Sequence, residues 1–280
     1  MNNLDGDFRE TELGALPAVW DVVPLRSVGL RFFGGGTPST KKTEYWNGSI
    51  PWTTSAYLDG LYVTKGIKTI TQLGLDNSSS NLVPKGNLVI GTRVGTGKVA
   101  VTKIDVAISQ DLTGVILDQT KVQSEYVAYF LASERAQQYF RAGTRGVTIK
   151  GIPRDDLIKI PVPLPSLPEQ RAIARVLSTI QRAMETQDKL ITAARELKKS
   201  LMRQLFTQGL DANGAVKETE IGVMPEHWQL VKLENVFESR LGKMLSGASR
   251  KGTSPRLYVR NANVQWGKVD LTDIAQMDFH

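Results

Sequence analysis

From Glu169 to Gln208 the chain runs forty residues without a glycine or a proline, and Gly209 then closes the run. No other feature limits the possible folds as strongly. Ser166-Leu-Pro-Glu169 has the form of a capping box, with a proline in the first turn, where its missing N–H costs nothing. Gly209 is the matching stop signal. About 42 residues rising 1.5 Å each predict a rod roughly 60 Å long. Ile173, Val176, Ile180, Ala183, Leu190, Ala194, Leu197 and Leu201 fall on the a and d positions of one heptad register. Leu177, Met184, Ile191 and Leu205 widen this stripe, and Gln187 and Gln204 interrupt it. A rod of this length cannot bury such a stripe against a small domain alone. The pattern asks for a second long helix, with Ile173, Val176, Ile180, Leu190, Leu197 and Leu201 as the pairing residues. The plainer alternative is a helix lying across its own domain.

A long repeat frames the rod. Thr11–Val28 reads TELGALPAVWDVVPLRSV and Thr219–Val236 reads TEIGVMPEHWQLVKLENV, eight identities in eighteen positions at an offset of 208 residues. A weaker echo sets Ile50–Leu61 against Leu257–Lys268 and aligns Gly60 with Gly267. Solenoid units repeat every 20–50 residues or so, so this period means that one unit of roughly 200 residues begins a second time. Two copies of a binding unit are what a protein needs to read two halves of a split target.

Ahead of the rod, short β-rich runs alternate with Gly- and Pro-containing turns: 50–54, 66–70, 87–90, 98–101 and 113–117. The spacing predicts a curled sheet or barrel rather than βαβ units. A single helix is expected from an N-cap at Ser124 up to Gly143. Ile160-Pro-Val-Pro-Leu-Pro165 reads as an extended exit from the domain. The fold class is therefore α+β: a β-rich domain at 11–165, a long coiled-coil helix at 166–209, and the opening of a second domain at 210–280.

Charge is unevenly placed. The net charge is +7 overall, with +6 carried by residues 31–160 and +4 by 161–208. A basic domain of this kind points first to a polyanion such as nucleic acid, although solubility alone gives the same balance. Catalytic chemistry is poorly supplied. Cysteine is absent and histidine appears only at positions 227 and 280. Thiol nucleophiles, Cys-ligated zinc, His-built metal sites and Ser-His-Asp triads are thereby nearly excluded. Gly91…Gly97-Lys98 has five residues between its glycines and Val99 after the lysine, where a phosphate loop needs four and a Ser or Thr. Gly34-Gly35-Gly36 reads as a bend, and Glu196-Leu-Lys198 as a solvated helix flank. The acidic stretch Met1–Glu10 does not read as a signal peptide, and no apolar run is long enough for a membrane span. A cytoplasmic reader without catalytic groups is the expectation.

Several motifs together resemble the specificity subunits of type I restriction–modification systems. They are the repeat carrying Pro and Trp, Gly35-Gly36-Thr37-Pro38-Ser39 running into Tyr45–Trp52, and Leu82-Val83-Pro84-Lys85-Gly86-Asn87. Gly146-Val-Thr-Ile-Lys150 and the Ile160–Gln170 junction complete the set. The resemblance implies two target-recognition domains per full subunit, each followed by a long helix, with the helices paired antiparallel as a spacer. It implies double-stranded DNA, methyltransferase (modification) subunits and a restriction subunit as partners. S-adenosylmethionine, ATP and Mg would belong to those partners, and this chain would bind no cofactor and no metal. The chain departs from that pattern in having one complete recognition domain, one long helix and the opening of another domain. Two copies pairing through the rod would rebuild a two-domain reader; a truncated product or fragment needing a separate second half is the alternative.

The residues expected to touch DNA follow from charge and hydrogen-bonding chemistry. Lys41, Lys42, Arg93, Lys98, Arg141 and Arg145 could neutralise phosphates. Arg93 or Gln110 could form bidentate contacts to guanine or adenine, and Thr53, Thr54, Ser55 and Asp111 could contact base edges. Tyr57 could stack or fill a groove, whereas Trp20 and Trp52 are expected to pack in the core. The competing reading is a non-catalytic coiled-coil assembly protein with only nonspecific DNA affinity.

Overall fold

The computed structural model describes residues 7–146, 151–211, 213–242 and 254–278. Val147–Lys150 of the Gly146–Lys150 motif, His280 and most of the acidic opening Met1–Glu10 lie outside the described residues. The chain divides into two compact units, Met1–Ala194 and Arg195–His280.

Unit 1 opens with the hairpin β1 (Phe8–Thr11) and β2 (Gly14–Pro17), followed by β3 (Asp21–Pro24). Next come β4 (Gly29–Gly34), β5 (Trp46–Thr53), β6 (Tyr62–Val63), β7 (Lys68–Ile70) and the short helix α1 (Gln72–Asp76). Five further strands follow: β8 (Asn81–Val83), β9 (Leu88–Gly91), β10 (Val99–Thr102), β11 (Val106–Ile108) and β12 (Leu112–Leu117). Then come α2 (Ser124–Ala132), α3 (Glu134–Gly143), α4 (Arg154–Leu157), β13 (Pro161–Leu164) and α5 (Leu167–Gln208).

Two mixed sheets carry the architecture, ordered β4-β12-β9-β10-β6 and β7-β5-β11-β8. All pairs are antiparallel except β10 with β6 and β11 with β5. Strands β9 and β10 read as almost unbroken apolar runs because both of their faces are covered. Leu88, Ile90, Val99 and Val101 point to the core shared with α2 and α3, where Val127, Leu131 and Phe140 are buried. Val89 and Ala100, between them in sequence, point to a second core with Val83, Ile108 and Leu112 of the two sheets. The period of two along a strand thus sorts neighbouring residues into different cores.

Three local expectations change. The single helix over 124–143 is broken at Ser133, whose extended backbone (φ −69°, ψ 155°) ends α2 and starts α3. The N-cap of α2 is Gln123, whose side chain accepts from the Tyr126 N–H at 2.6 Å; the Ser124 hydroxyl instead donates to the Gly86 carbonyl at 2.5 Å. The Pro-rich run does not leave the domain. It folds back as β13 and pairs antiparallel with β3, with Pro161 opposite Pro24 and Leu164 opposite Asp21. A two-stranded ribbon tolerates this because proline's missing N–H then faces no second neighbour.

The rod is a single helix over all 42 residues of α5. Its first turns are docked on unit 1, with Gln170 and Ala174 buried, while every residue from Arg182 to Phe206 is exposed. One pairing assignment is corrected here. Ile173 is half-buried against its own domain's core, so its methyls already have a partner. Val176, Ile180, Leu190, Leu197 and Leu201 are all exposed.

Unit 2 contains β14 (Val216–Thr219), β15 (Gly222–Pro225), β16 (Pro255–Tyr258), β17 (Val264–Gln265), β18 (Lys268–Val269) and β19 (Ala275–Asp278). Its opening repeats the turn bonds of unit 1. Thr11 and Thr219 each donate a hydroxyl hydrogen bond to the glycine three residues on, at 2.7 Å, and both glycines have positive φ. Trp20 N–H and Trp228 N–H close the same turn onto Pro17 and Pro225. The surroundings differ. Leu25 and Val28 are 0% and 1% exposed, whereas their equivalents Leu233 and Val236 are 69% and 61% exposed.

Candidate nucleic-acid interface

Arg93 stands on the tight loop between β9 and β10. Gly91 N–H donates to Lys98 O at 2.8 Å, and Gly97 N–H donates to Gly91 O at 3.0 Å, which closes the loop on itself. Gly97 has φ +88°, and a Cβ there would stand 2.5 Å from Oε1 of Gln137. The loop needs this close approach, because Gln137 Nε2 holds it from α3 by donating to Gly97 O and to Leu131 O, both at 2.8 Å. With its base pinned, the loop leaves Arg93 and Val94 exposed.

Backbone bonds join this loop to two other segments. Thr92 N–H donates to Asp111 O at 2.9 Å, and Ile152 N–H donates to Thr92 O at 2.9 Å. Arg145 and Gly151 exchange a pair of bonds at 2.8 and 2.9 Å. Arg93 and Arg145 therefore line one open depression of about 320 Å³ together with Gly151 and Pro153. Arg145 is held by Asp156, Nη2 to Oδ2 at 2.8 Å, yet remains largely exposed. Arg154, on α4, is exposed, with its Nη2 3.5 Å from where a Cβ on Gly34 would be. Gln110 is exposed beside this group and accepts from the Thr37 hydroxyl at 2.6 Å, while Asp111 is half-buried.

A second basic group lies around β5 and β7. Lys42 Nζ donates to the Tyr45 hydroxyl at 2.9 Å and lies 4.8 Å above its ring. That hydrogen bond, reinforced by the charge interaction with Tyr45, raises the ammonium's pKa above its ordinary value. Lys68 sits 5.1 Å over the ring of Trp46, at a groove of about 560 Å³ that Thr40, Thr43 and Asn47 also line. Tyr57 is 61% exposed and shares a neighbouring groove with Lys65 and Lys68. Lys41 is exposed on the same turn as Lys42. Lys98 reaches the Ser55 carbonyl at 3.3 Å, so the turn carrying Tyr57 joins the two basic groups.

The remaining expected residues fall elsewhere. Thr53 and Ser55 are each 1% exposed, so neither presents its hydroxyl to a base edge in this arrangement. Thr53 is the last residue of β5, paired in the sheet with Ile108 of β11. Thr54 is half-buried. Arg141 turns back along α3 to pair with Glu134, which offsets its charge. Trp52 is buried with its indole N–H on Gly36 O at 3.0 Å, a packing role. Arg154, Lys65, Lys68 and Gln137 were not singled out from the sequence. Arg154 precedes Asp155-Asp156 in sequence, and the fold sets its guanidinium beside Gly34.

No helix of the described residues is long and apolar enough to cross a membrane. Among them, no three His, Asp or Glu side chains gather as a metal site. The surface can thus offer fixed cations and hydrogen-bond donors beside aromatic faces, a combination suited to phosphates and base edges.

The profile of the family described as type I restriction modification DNA specificity domain matches residues 17–194. The chain is 28% identical over 269 residues to the type I restriction enzyme MjaIX specificity subunit of Methanocaldococcus jannaschii, covering 94% of this chain and 60% of that protein. It is 30% identical over 153 residues to the EcoR124I/EcoR124II specificity subunit of Escherichia coli, covering 52% of this chain and 37% of that one. Among solved structures, the type I restriction–modification S subunit from M. genitalium superposes with a TM-score of 0.54 at 18% identity, over 91% of this chain and 60% of that chain. The chain spans between about half and three-fifths of the length of the M. jannaschii relatives it matches.

Proposed function

This chain belongs to the type I restriction–modification DNA specificity family, and from that premise we propose that unit 1 reads one half of a two-part duplex DNA target. One observation carries the reading. The residues the family profile covers are those that gather Arg93 and Arg145 on a platform pinned by backbone bonds, near exposed Gln110. Two guanidiniums can hold the backbone of a duplex in register while the neighbouring amide addresses a base edge.

In this reading α5 is the spacer. Val176, Ile180, Leu190, Leu197 and Leu201 pair with the same stripe of a second copy, giving a two-domain reader for a symmetric split site. Methyltransferase subunits dock on the paired helices and a restriction subunit joins them. S-adenosylmethionine, ATP and Mg reside on those partners in the cytoplasm, and this chain adds no catalytic group. The exposed Leu233 and Val236 favour one variation, in which a further polypeptide segment covers unit 2 as unit 1's own chain covers Leu25 and Val28.

The test is to co-express the chain with the adenine methyltransferase subunit of its own system and map methylated adenines across the host genome. Methylation confined to one split motif is the expected result. Methylation without any motif would instead favour an assembly protein with nonspecific DNA affinity.

A further inference from the structure

Gln170 lies one turn into α5, and its side chain is fully buried although it belongs to a helix that is otherwise mostly solvated. Its amide is fully engaged. Nε2 donates to Lys121 O at 3.0 Å and to Pro165 O at 2.9 Å, while Oε1 accepts from Gln123 N–H at 3.0 Å. These partners belong to three different parts of unit 1. Lys121 lies in the loop after β12, Gln123 caps α2, and Pro165 is the joint between β13 and the rod.

Weaker ties flank this one, among them a contact of the Tyr62 and Ser178 hydroxyls at 3.4 Å. Trp20 Nε1 donates to Glu169 at 3.2 Å, and the Tyr129 hydroxyl donates to Ser178 Oγ at 3.3 Å. Beyond Gln181 no residue of α5 up to Phe206 is buried or half-buried. The direction in which the rod leaves unit 1 is therefore set within about its first four turns. Only the Gln170 amide bridges the joint, the capping loop and the rod together.

We infer that Gln170 is a positioning residue, which fixes the exit direction of α5 and so the separation of two recognition domains on DNA. The link to DNA rests on the paired reader proposed above; the link to exit direction does not. A buried amide with every donor and acceptor used tolerates little reorientation, since any swing of the rod leaves unsatisfied groups behind.

The cysteine-free chain permits a direct test. Spin labels are placed at Lys85→Cys on unit 1 and Lys189→Cys on the rod, both exposed. The doubly labelled chain is diluted with unlabelled chain, so that only intrachain distances are read by pulsed electron resonance. The parent chain should give one narrow distance distribution, and Gln170→Met should at least double its width with helix content unchanged. Should Gln170→Met fail to fold, Gln170→Glu is measured instead; it keeps the bond from Gln123 N–H but turns an acceptor toward two carbonyls. A distribution as narrow as that of the parent chain in a folded variant overturns the assignment.

A selection from duplexes with two half-sites and variable spacers supplies the second readout. The parent complex should prefer one spacer length. The variant should lose about tenfold of its discrimination against a spacer one base pair longer or shorter, with single half-site affinity retained. Uniformly weaker binding with unchanged spacer preference would mean that Gln170 only stabilises the fold. If the parent itself ignores two-part sites, the DNA reading fails, and the distance distribution alone judges the fastening.

Discussion

Arg93 illustrates what a single side chain can and cannot owe to its neighbours. Its loop is shaped by two positive-φ glycines, Gly95 and Gly97, and by the Gln137 amide, while its guanidinium remains exposed. Such a group gains from a phosphate mainly by releasing counterions, an effect measured directly by salt dependence. Arg93→Ala should lower affinity for duplex DNA and make the slope of log K against log salt shallower by about one unit. Titration of binding between low and moderate salt checks this; an unchanged slope would remove Arg93 from the interface. Tyr126 shows the opposite situation. Burial pushes its phenol far above the ordinary value, so it keeps its proton and donates to Pro163 O at 2.9 Å, tying α2 to β13.

At the level of elements, the long helix has two unlike parts. Its root contributes Gln170, Ile173 and Ala174 to unit 1, and the remainder holds an apolar stripe open to solvent. Leu190 is 57% exposed, so exchanging it for a charge should cost the isolated chain little. Against a partner helix the same charge would enter a dry seam. Leu190→Glu should therefore leave helix content by circular dichroism unchanged while weakening self-association at least tenfold in sedimentation experiments. Equal self-association of parent and variant would exclude this stripe as the contact. The β13–β3 ribbon has a comparable logic. A run of prolines that could not serve in a central strand closes the domain because only one partner strand is asked of it.

For the whole molecule, the decisive property is that the second unit starts like the first without being covered like it. Identical turns at 11–14 and 219–222 end in Leu25 and Val28 under a core, but in Leu233 and Val236 in the open. A chain that exposes this apolar surface together with the α5 stripe is expected to associate. Light scattering should give a particle of twice the chain mass of 30.9 kDa. A stable monomer at micromolar concentration would instead favour a separate polypeptide as the covering partner.

The amino-acid sequence alone determined the long helix, the β-rich domain before it and the repeat at 208 residues. Each depends on local chemistry: periodicity, turn glycines and prolines, and capping residues act over a few positions. The family was legible for the same reason, since its motifs are short and contiguous. The helix break at Ser133, the return of 161–164 to the start of the chain and the burial of Thr53 and Ser55 were decided only by tertiary contacts. So was the meeting of Arg93 with Arg145, whose proximity comes from a backbone bond between Thr92 and Ile152, sixty residues apart. Which face of a strand end is covered, and which charges converge, depends on what packs from elsewhere in the chain, and no local pattern carries that information.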